Sequence, residues 1–542
     1  MSVQPAPTSL SIIERFLWWS IAGIATAGYI LLVFWQSELP YLDLPNHLAR
    51  AAVIRSLVFE GGSSPYFRFE FQFTPYIFGD LLLASLIHVM GVVPAALTWI
   101  TTTFLSLPLA LSTYARARRL DPSILPLVFF AGIYLGTNWF VLSAYANFCL
   151  GVSTAFFALA CFEKALPRSV RTGPEKRLHG GWWLVFALLS VLTYVLHLAA
   201  ALFLGVLLAC LGLFRFTHRD LTRSGLALSL FPISAVGAWH IAHRLMVGAS
   251  YGTWVFRSPW NKLTALGAAF YRFDLHFDLT LLTMFLVILL LAARWSRTNQ
   301  LDRVQPSSRK FTDCSSEYTL AAGALLAIYA ALPVAVDTLS DIDGRAIPFI
   351  TCTLLIGACC GRLRPTQVRL LSIAGLCLAL LNLAYLRTSF APHQEYLRNY
   401  HVIRNAIPSG AKVFPVNTRS DDGRIHTSLH SAALAVVEHH ALVPYILSSL
   451  NGEPVTYFHY RLKTYTPLAF WYIRGQAIDW SQVLRDYDYV LVTKPVDPTR
   501  LAQSGLQIVM ENSAAVLFRT SQQDGMLPEH PAPEPPVDND PS

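Results

Sequence analysis

Ten apolar runs long enough to cross a bilayer divide the first 388 residues, near 16–36, 77–114, 123–142, 146–163, 182–214, 225–246, 278–295, 317–336, 346–361 and 367–388. In lipid a segment must satisfy its own backbone hydrogen bonds, so each run reads as helix and the chain as a polytopic α-helical membrane protein. Charge agrees: only 14% of residues are charged, against about 25% in soluble domains. Two runs exceed one span. His197 interrupts 182–214, which reads as a hairpin of two spans. The run 77–114 contains Gly91 and Pro94 and reads as one long kinked helix or two short ones.

Basic loops set the orientation. Arg116–Arg119, Lys164–Arg177, Arg215–Arg223, Arg294–Lys310 and Arg362–Arg369 all fall on the cytoplasmic side if residues 77–114 make a net single crossing. That predicts eleven spans, with the N-terminus inside and the C-terminus outside. The net charge of +8 then belongs to cytoplasmic loops and carries no nucleic-acid signal. The N-terminus lacks a basic n-region and a small-residue cleavage site, so 16–34 reads as a retained first helix. The predicted domains are a membrane part over 1–388 with a first external loop at 37–76, and a soluble part over 389–522. The Pro- and Glu-rich segment 523–542 reads as disordered.

The soluble part alternates helix and strand patterns. Gln394–Ile407 and Trp480–Arg485 read as helices, and Ala411–Val416, Tyr487–Thr493, Leu506–Met510 and Ala514–Phe518 as strands. The expectation is a small C-terminal α/β extracytoplasmic domain. It contains no Cys, which suits a bacterial periplasm better than a disulfide-stapled ectodomain. A bacterial inner membrane with this domain in the periplasm is the compartment expected.

On the predicted outer face the polar residues cluster. Directly after the first span runs Tyr41-Leu-Asp-Leu-Pro-Asn-His-Leu-Ala-Arg50, which sets Asp43 beside Asn46, His47 and Arg50. His47 and Arg50 lie three apart and share a helix face. A carboxylate beside a His and an Arg at a water–lipid boundary can do chemistry; the plain alternative is that Asp43 caps a surface helix. The loop Asp337–Arg345 packs Asp341, Asp343 and Arg345 between two spans. Arg345 suits phosphate, because guanidinium binds its oxygens in a bidentate way; Asp341 or Asp343 would orient it, or all three anchor span ends. His240, His243 and Arg244 sit near the outer end of a span, where they either line a cavity or snorkel to headgroups. Asn147 and His197 fall at matched depths, as cavity lining or as helix-end partners. Trp254, Trp260, Tyr251 and Tyr271 form an aromatic belt that is also suited to stacking on sugars.

The placement of Asp43 in D-L-P-N-H-L-A-R just after span one, followed by Pro75-Tyr-Ile-Phe-Gly-Asp80 leading into the next, resembles the GT-C superfamily of membrane glycosyltransferases, of the protein mannosyltransferase and aminoarabinose transferase type. The resemblance covers about residues 15–390 in architecture and only short motifs in residues. It implies a polyprenyl-phosphate-linked sugar donor and a lipid, glycan or protein acceptor. It also implies inversion at the anomeric carbon, with Asp43 as general base and Arg345 near the donor phosphate. Many members carry paired acids here. This chain has a single Asp, so a divalent metal is not supported and no cofactor is expected. Two other classes remain. A transporter or lipid flippase predicts pseudo-symmetric halves and ionisable groups at the midplane, neither of which the chain has. A non-catalytic assembly protein of GT-C-like fold predicts outer loops that tolerate substitution.

Overall fold

The computed structural model describes residues 11–36, 38–166, 180–218, 221–247, 253–301, 314–336, 341–417, 425, 427–444, 458–460, 478, 480–494 and 506–520. The segment 523–542, Asp337, Tyr251 and most of the basic loop after Lys164 lie outside the described residues.

The chain is a helical membrane protein with a small sheet near its C-terminus. Its helices are α1 (Ile12–Phe34), α2 (Leu44–Ile54), α3 (Ile77–Met90), α4 (Val92–Ala117), α5 (Leu125–Leu135), α6 (Trp139–Leu142), α7 (Ala146–Ala165), α8 (Gly180–Leu196) and α9 (Leu198–Thr217). There follow α10 (Arg223–Val247), α11 (Pro259–Ala268), α12 (Leu275–Leu301), α13 (Cys314–Ala331), α14 (Ala346–Ala358), α15 (Pro365–Arg404), α16 (Leu434–His439) and α17 (Trp480–Asp486). Among the described residues seven helices, α1, α4, α7, α9, α10, α12 and α15, are long and apolar enough to cross a membrane.

Burial sorts these helices into centre and rim. In α7, 89% of the apolar window is buried, against 22% in α10 and 28% in α1. Ile12, Ile13, Phe16, Ile24, Leu245 and Met246 instead face outward, as lipid-facing side chains must. Small residues allow the central approach: a Cβ on Gly151 of α7 would lie 2.8 Å from Ala200 Cβ of α9, and one on Gly132 of α5 2.8 Å from the Pro108 backbone of α4.

The ends of α7 orient the whole body. Near its start, Asn147 lies against Gly79 at the beginning of α3. Near its end, Glu163 pairs with Arg118, which follows α4, at 3.2 Å. Residues 79 and 118 thus sit at opposite ends of one 20-residue helix. The run 77–114 divides at Gly91, whose φ of +83° an L side chain would resist, and makes one net traverse. The eleven-span expectation rests on that traverse. The run 123–142 is also divided, because Asn138 Oδ1 accepts from the Phe140 and Val141 amides and starts α6.

The last span and the first helix of the soluble part are a single helix. α15 runs 40 residues from Pro365 to Arg404 with Pro392 inside it, so the boundary drawn at 388 falls within a rod. Beyond it a four-stranded sheet forms from β4 (Val413–Val416), β6 (Tyr489–Thr493), β7 (Leu506–Glu511) and β8 (Ala515–Thr520), in the order β4-β6-β8-β7. β4 pairs parallel to β6, and the other two pairings are antiparallel. Several links tie this part to the first loop. β1 (Phe67–Phe69) pairs antiparallel with β5 (Phe458–Tyr460). Tyr66 OH donates to the Gly410 carbonyl at 2.7 Å. α2 packs beneath residues 431–439. A further two-residue pairing joins β2 (Trp254–Val255) to β3 (Ala335–Val336).

Candidate functional site

Asp43 stands at the N-cap position of α2, yet its side chain accepts no capping hydrogen bond. Pro45, which lacks an N–H, occupies the first turn. The carboxylate is therefore spared for another partner and turns to His430 of the C-terminal part, whose Nε2 lies 3.2 Å from Oδ1. Both residues are buried. The Asp43 amide donates to the Ser143 carbonyl at 3.1 Å, so the residue rests on the turn between α6 and α7. Ala144 in that turn has φ +59°.

The same turn carries the second half of the site. Tyr145 lies under the Arg345 guanidinium, 5.7 Å from ring centroid to Cζ. Arg345 Nη1 is 3.3 Å from His197 Nε2. The His197 ring is wedged between the edges of Tyr76 and Phe148, with centroids 4.8 Å and 5.1 Å away. His197 also caps α9: its Nδ1 accepts the Ala199 amide at 3.1 Å. Burial first, and then the neighbouring Arg345 charge, hold its pKa well below the usual histidine range, so the ring is neutral. A neutral imidazole accepts at one nitrogen only. With Nδ1 committed to the cap, Nε2 carries the hydrogen and faces the Arg345 donor. Two donors meeting in this way suit an oxyanion.

The other residues of the first-loop helix have different work. His47 and Arg50 do share a face, and it points at Asp80 in the first turn of α3. Arg50 Nη2 lies 2.6 Å from Asp80 Oδ2, and His47 Nδ1 lies 3.6 Å from Oδ1. These contacts clamp α2 to α3. Asn46 is fully buried, and both of its side-chain polar atoms lack a hydrogen-bond partner among the described residues. The same holds for Asn147, whose Oδ1 fits only because residue 79 is Gly: a Cβ there would lie 1.8 Å away. Buried polar atoms left unpaired are exceptional and call for an explanation.

Asp341 and Asp343 are engaged by cations from the segment around α11. Asp343 receives Arg257 Nε at 3.2 Å and faces Lys262 Nζ at 3.6 Å. Asp341 receives Arg257 Nη2 at 3.2 Å. Lys262 Nζ in turn donates to the Tyr329 carbonyl at 2.7 Å, near the end of α13. The group braces the loop before Arg345 against the segment that holds α11. His240, His243 and Arg244 lie on the rim helix α10. His240 Nδ1 meets Tyr194 OH at 3.1 Å, one turn before His197; the ring of His243 stacks on Trp239, whose Nε1 donates to the Phe73 carbonyl at 3.2 Å. The Trp239–Phe73 bond sets this stretch of α10 behind the first loop. Arg272 of the aromatic loop is buried with Asp278 and Asn382, a link between α12 and α15. Among the described residues no three His, Cys, Asp or Glu side chains converge as a metal site.

No family model and no curated protein matches the sequence. Solved structures do match. ArnT from Cupriavidus metallidurans bound to undecaprenyl phosphate aligns over 95% of this chain and 99% of its own, with a TM-score of 0.55 and 12% identity. Its apo state aligns over 93% and 98%, with a TM-score of 0.54 and 11% identity. The chain has the GT-C fold. At such identity the likeness speaks for architecture, and the chemistry must be argued from the side chains.

Sequence reasoning missed His430. It sits in a soluble segment without a motif, and only the packing of 427–439 on α2 brings it to Asp43. Asp80 was visible as part of the quoted Pro75–Asp80 motif, but its role as the partner of Arg50 was not.

Proposed function

We propose that this chain is an inverting glycosyltransferase. It would move a sugar from a polyprenyl-phosphate donor lipid to a lipid, glycan or protein acceptor, at the outer face of a bacterial inner membrane with the C-terminal part in the periplasm. One observation carries the reading: a carboxylate free of capping duty and a facing pair of cationic and neutral donors converge on the single turn 143–145. ArnT, which shares the fold, was solved with undecaprenyl phosphate bound, and this supports the choice of donor lipid.

The chemistry follows from the two halves. Asp43 takes the proton of an acceptor hydroxyl as its oxygen bonds to the anomeric carbon. The bond from that carbon to the phosphate oxygen breaks, and its electron pair leaves with the polyprenyl phosphate. A phosphate leaving group needs no strong acid. Its developing charge is met by Arg345 and His197, two donors already facing one another. Attack opposite the leaving group inverts the anomeric carbon. Asn46 and Asn147, whose carboxamides lack a partner among the described residues, supply polar groups for sugar hydroxyls.

The test is transfer by the purified, lipid-reconstituted chain, offered radiolabelled polyprenyl-phosphate sugars with membrane extract as acceptor. Turnover by wild type that disappears in Asp43→Asn supports the class and the base together. Full activity in Asp43→Asn overturns the mechanism.

A further inference from the structure

We infer that His430 of the C-terminal domain is the positioning residue for Asp43, so that the base becomes competent only when that domain is docked on the first loop. This inference rests on the glycosyltransferase reading above. Nε2 of His430 stands 3.2 Å from Oδ1 of Asp43, within ion-pair reach. That contact occupies the Oδ1 side of the carboxylate and leaves Oδ2 for the acceptor hydroxyl. The proton leaves the acceptor for Oδ2, and His430 neither gains nor loses one.

The segment that presents His430 is built for precision. Thr427, Ser428, Ser431, Ala432 and Ala433 are all at least 97% buried. Thr427 Oγ1 bonds His393 Nδ1 of α15 at 3.0 Å, and Ser431 Oγ donates to the Thr427 carbonyl at 3.0 Å. Behind them, Asn417 after β4 accepts from Thr493 Oγ1 of β6 at 2.7 Å. The His430 backbone is thereby referenced both to the membrane rod α15 and to the sheet. A surface lid without this function needs neither a buried polar chain nor an imidazole aimed at the one carboxylate that its own helix leaves uncapped. The β1–β5 pairing and the Tyr66–Gly410 bond hold the same two parts together from a second side.

The decisive experiment compares full-length wild type with His430→Ala, His430→Gln and Asp43→Asn in liposomes, using the donor panel above and reading kcat and donor KM separately. Thermal midpoints of the single variants and of the Asp43→Asn/His430→Gln double variant are measured alongside. His430→Ala should lower kcat about 100-fold, the cost of a misplaced reacting group, with donor KM changed less than about threefold. Gln carries an amide N–H in place of Nε2–H and should restore kcat to within about tenfold of wild type. The two midpoint shifts should be non-additive, as expected of residues in contact. Wild-type rates in His430→Ala, or faster ones, overturn the inference; faster turnover would make the domain an inhibitor. A wild type that transfers no sugar, with the midpoints still coupled, overturns the glycosyltransferase reading and the positioning role with it. Active wild type with additive midpoints removes His430 alone.

Discussion

The two ends of α7 hold buried charge in opposite ways. At the Glu163 end, Arg118, Glu163, Arg215 and Glu317 form a closed ring. Each Arg touches both Glu side chains, at 3.2 and 2.8 Å for Arg118 and at 2.5 and 2.7 Å for Arg215. The ring ties the ends of α4, α7 and α9 to the start of α13 and sums to zero. At the Asn147 end Arg345 faces His197, Asp43 faces His430, and two carboxamides lack a hydrogen-bond partner among the described residues. A closed ion ring is what a fold needs to bury charge. An open set is what a fold tolerates only where something else completes it. Burial alone does not separate the ends, since both are buried; the Glu163 end closes on itself, and the two carboxamides at the Asn147 end do not.

Substitution can break that contrast. The largest effect is expected of Asp43→Asn, which keeps shape and removes the proposed base. Transfer should fall by about 10³-fold or more while the donor lipid still binds, measured by single-turnover assay and lipid binding side by side. Next comes the ring. Arg215→Met leaves Glu163 and Glu317 one cation short and should cost about 3–5 kcal/mol of stability. The midpoint in detergent should drop, with turnover per folded molecule unchanged; a stable Arg215→Met protein with poor turnover would erase the distinction between the ends. Arg345→Ala should act the other way, raising donor KM by about 10- to 100-fold through a lost charge-assisted bond of roughly 1.5–3 kcal/mol. The smallest shift is expected of Asn46→Leu. Removing two unpaired buried atoms should leave stability within about 1 kcal/mol of wild type, or raise it, while transfer declines. A clear loss of stability there would mean that Asn46 is structural and would move it to the other side of the comparison.

Much of the architecture was legible because lipid leaves few choices: apolar runs marked the helices, of which seven among the described residues are long and apolar enough to cross a membrane, and the parity of the basic loops agrees with the single traverse of 77–117. The site was half legible. His197 and Arg345, marked separately as polar residues at span ends, lie 3.3 Å apart. The i, i+3 spacing of His47 and Arg50 did predict a shared face, but spacing says nothing of what the face meets, and it meets Asp80. Asp341 and Asp343 were expected to orient Arg345 from proximity in the chain. Their described partners are Arg257 and Lys262, cations from the stretch before α11 and from α11 itself. His430 had no signal to find, because its meaning exists only across a domain contact. The boundary at 388 went astray for a related reason: hydropathy marks where lipid ends, and α15 does not end there.

The Asp43–His430 contact also sets an order in time. Asp43 leaves the ribosome with the first span, and His430 follows only after every other span has been made. Through most of synthesis the nascent protein carries a helical bundle in which Asp43 has not yet met His430. On the proposed mechanism, a chain released early is inserted and silent, and turnover begins only once translation has delivered the C-terminal domain.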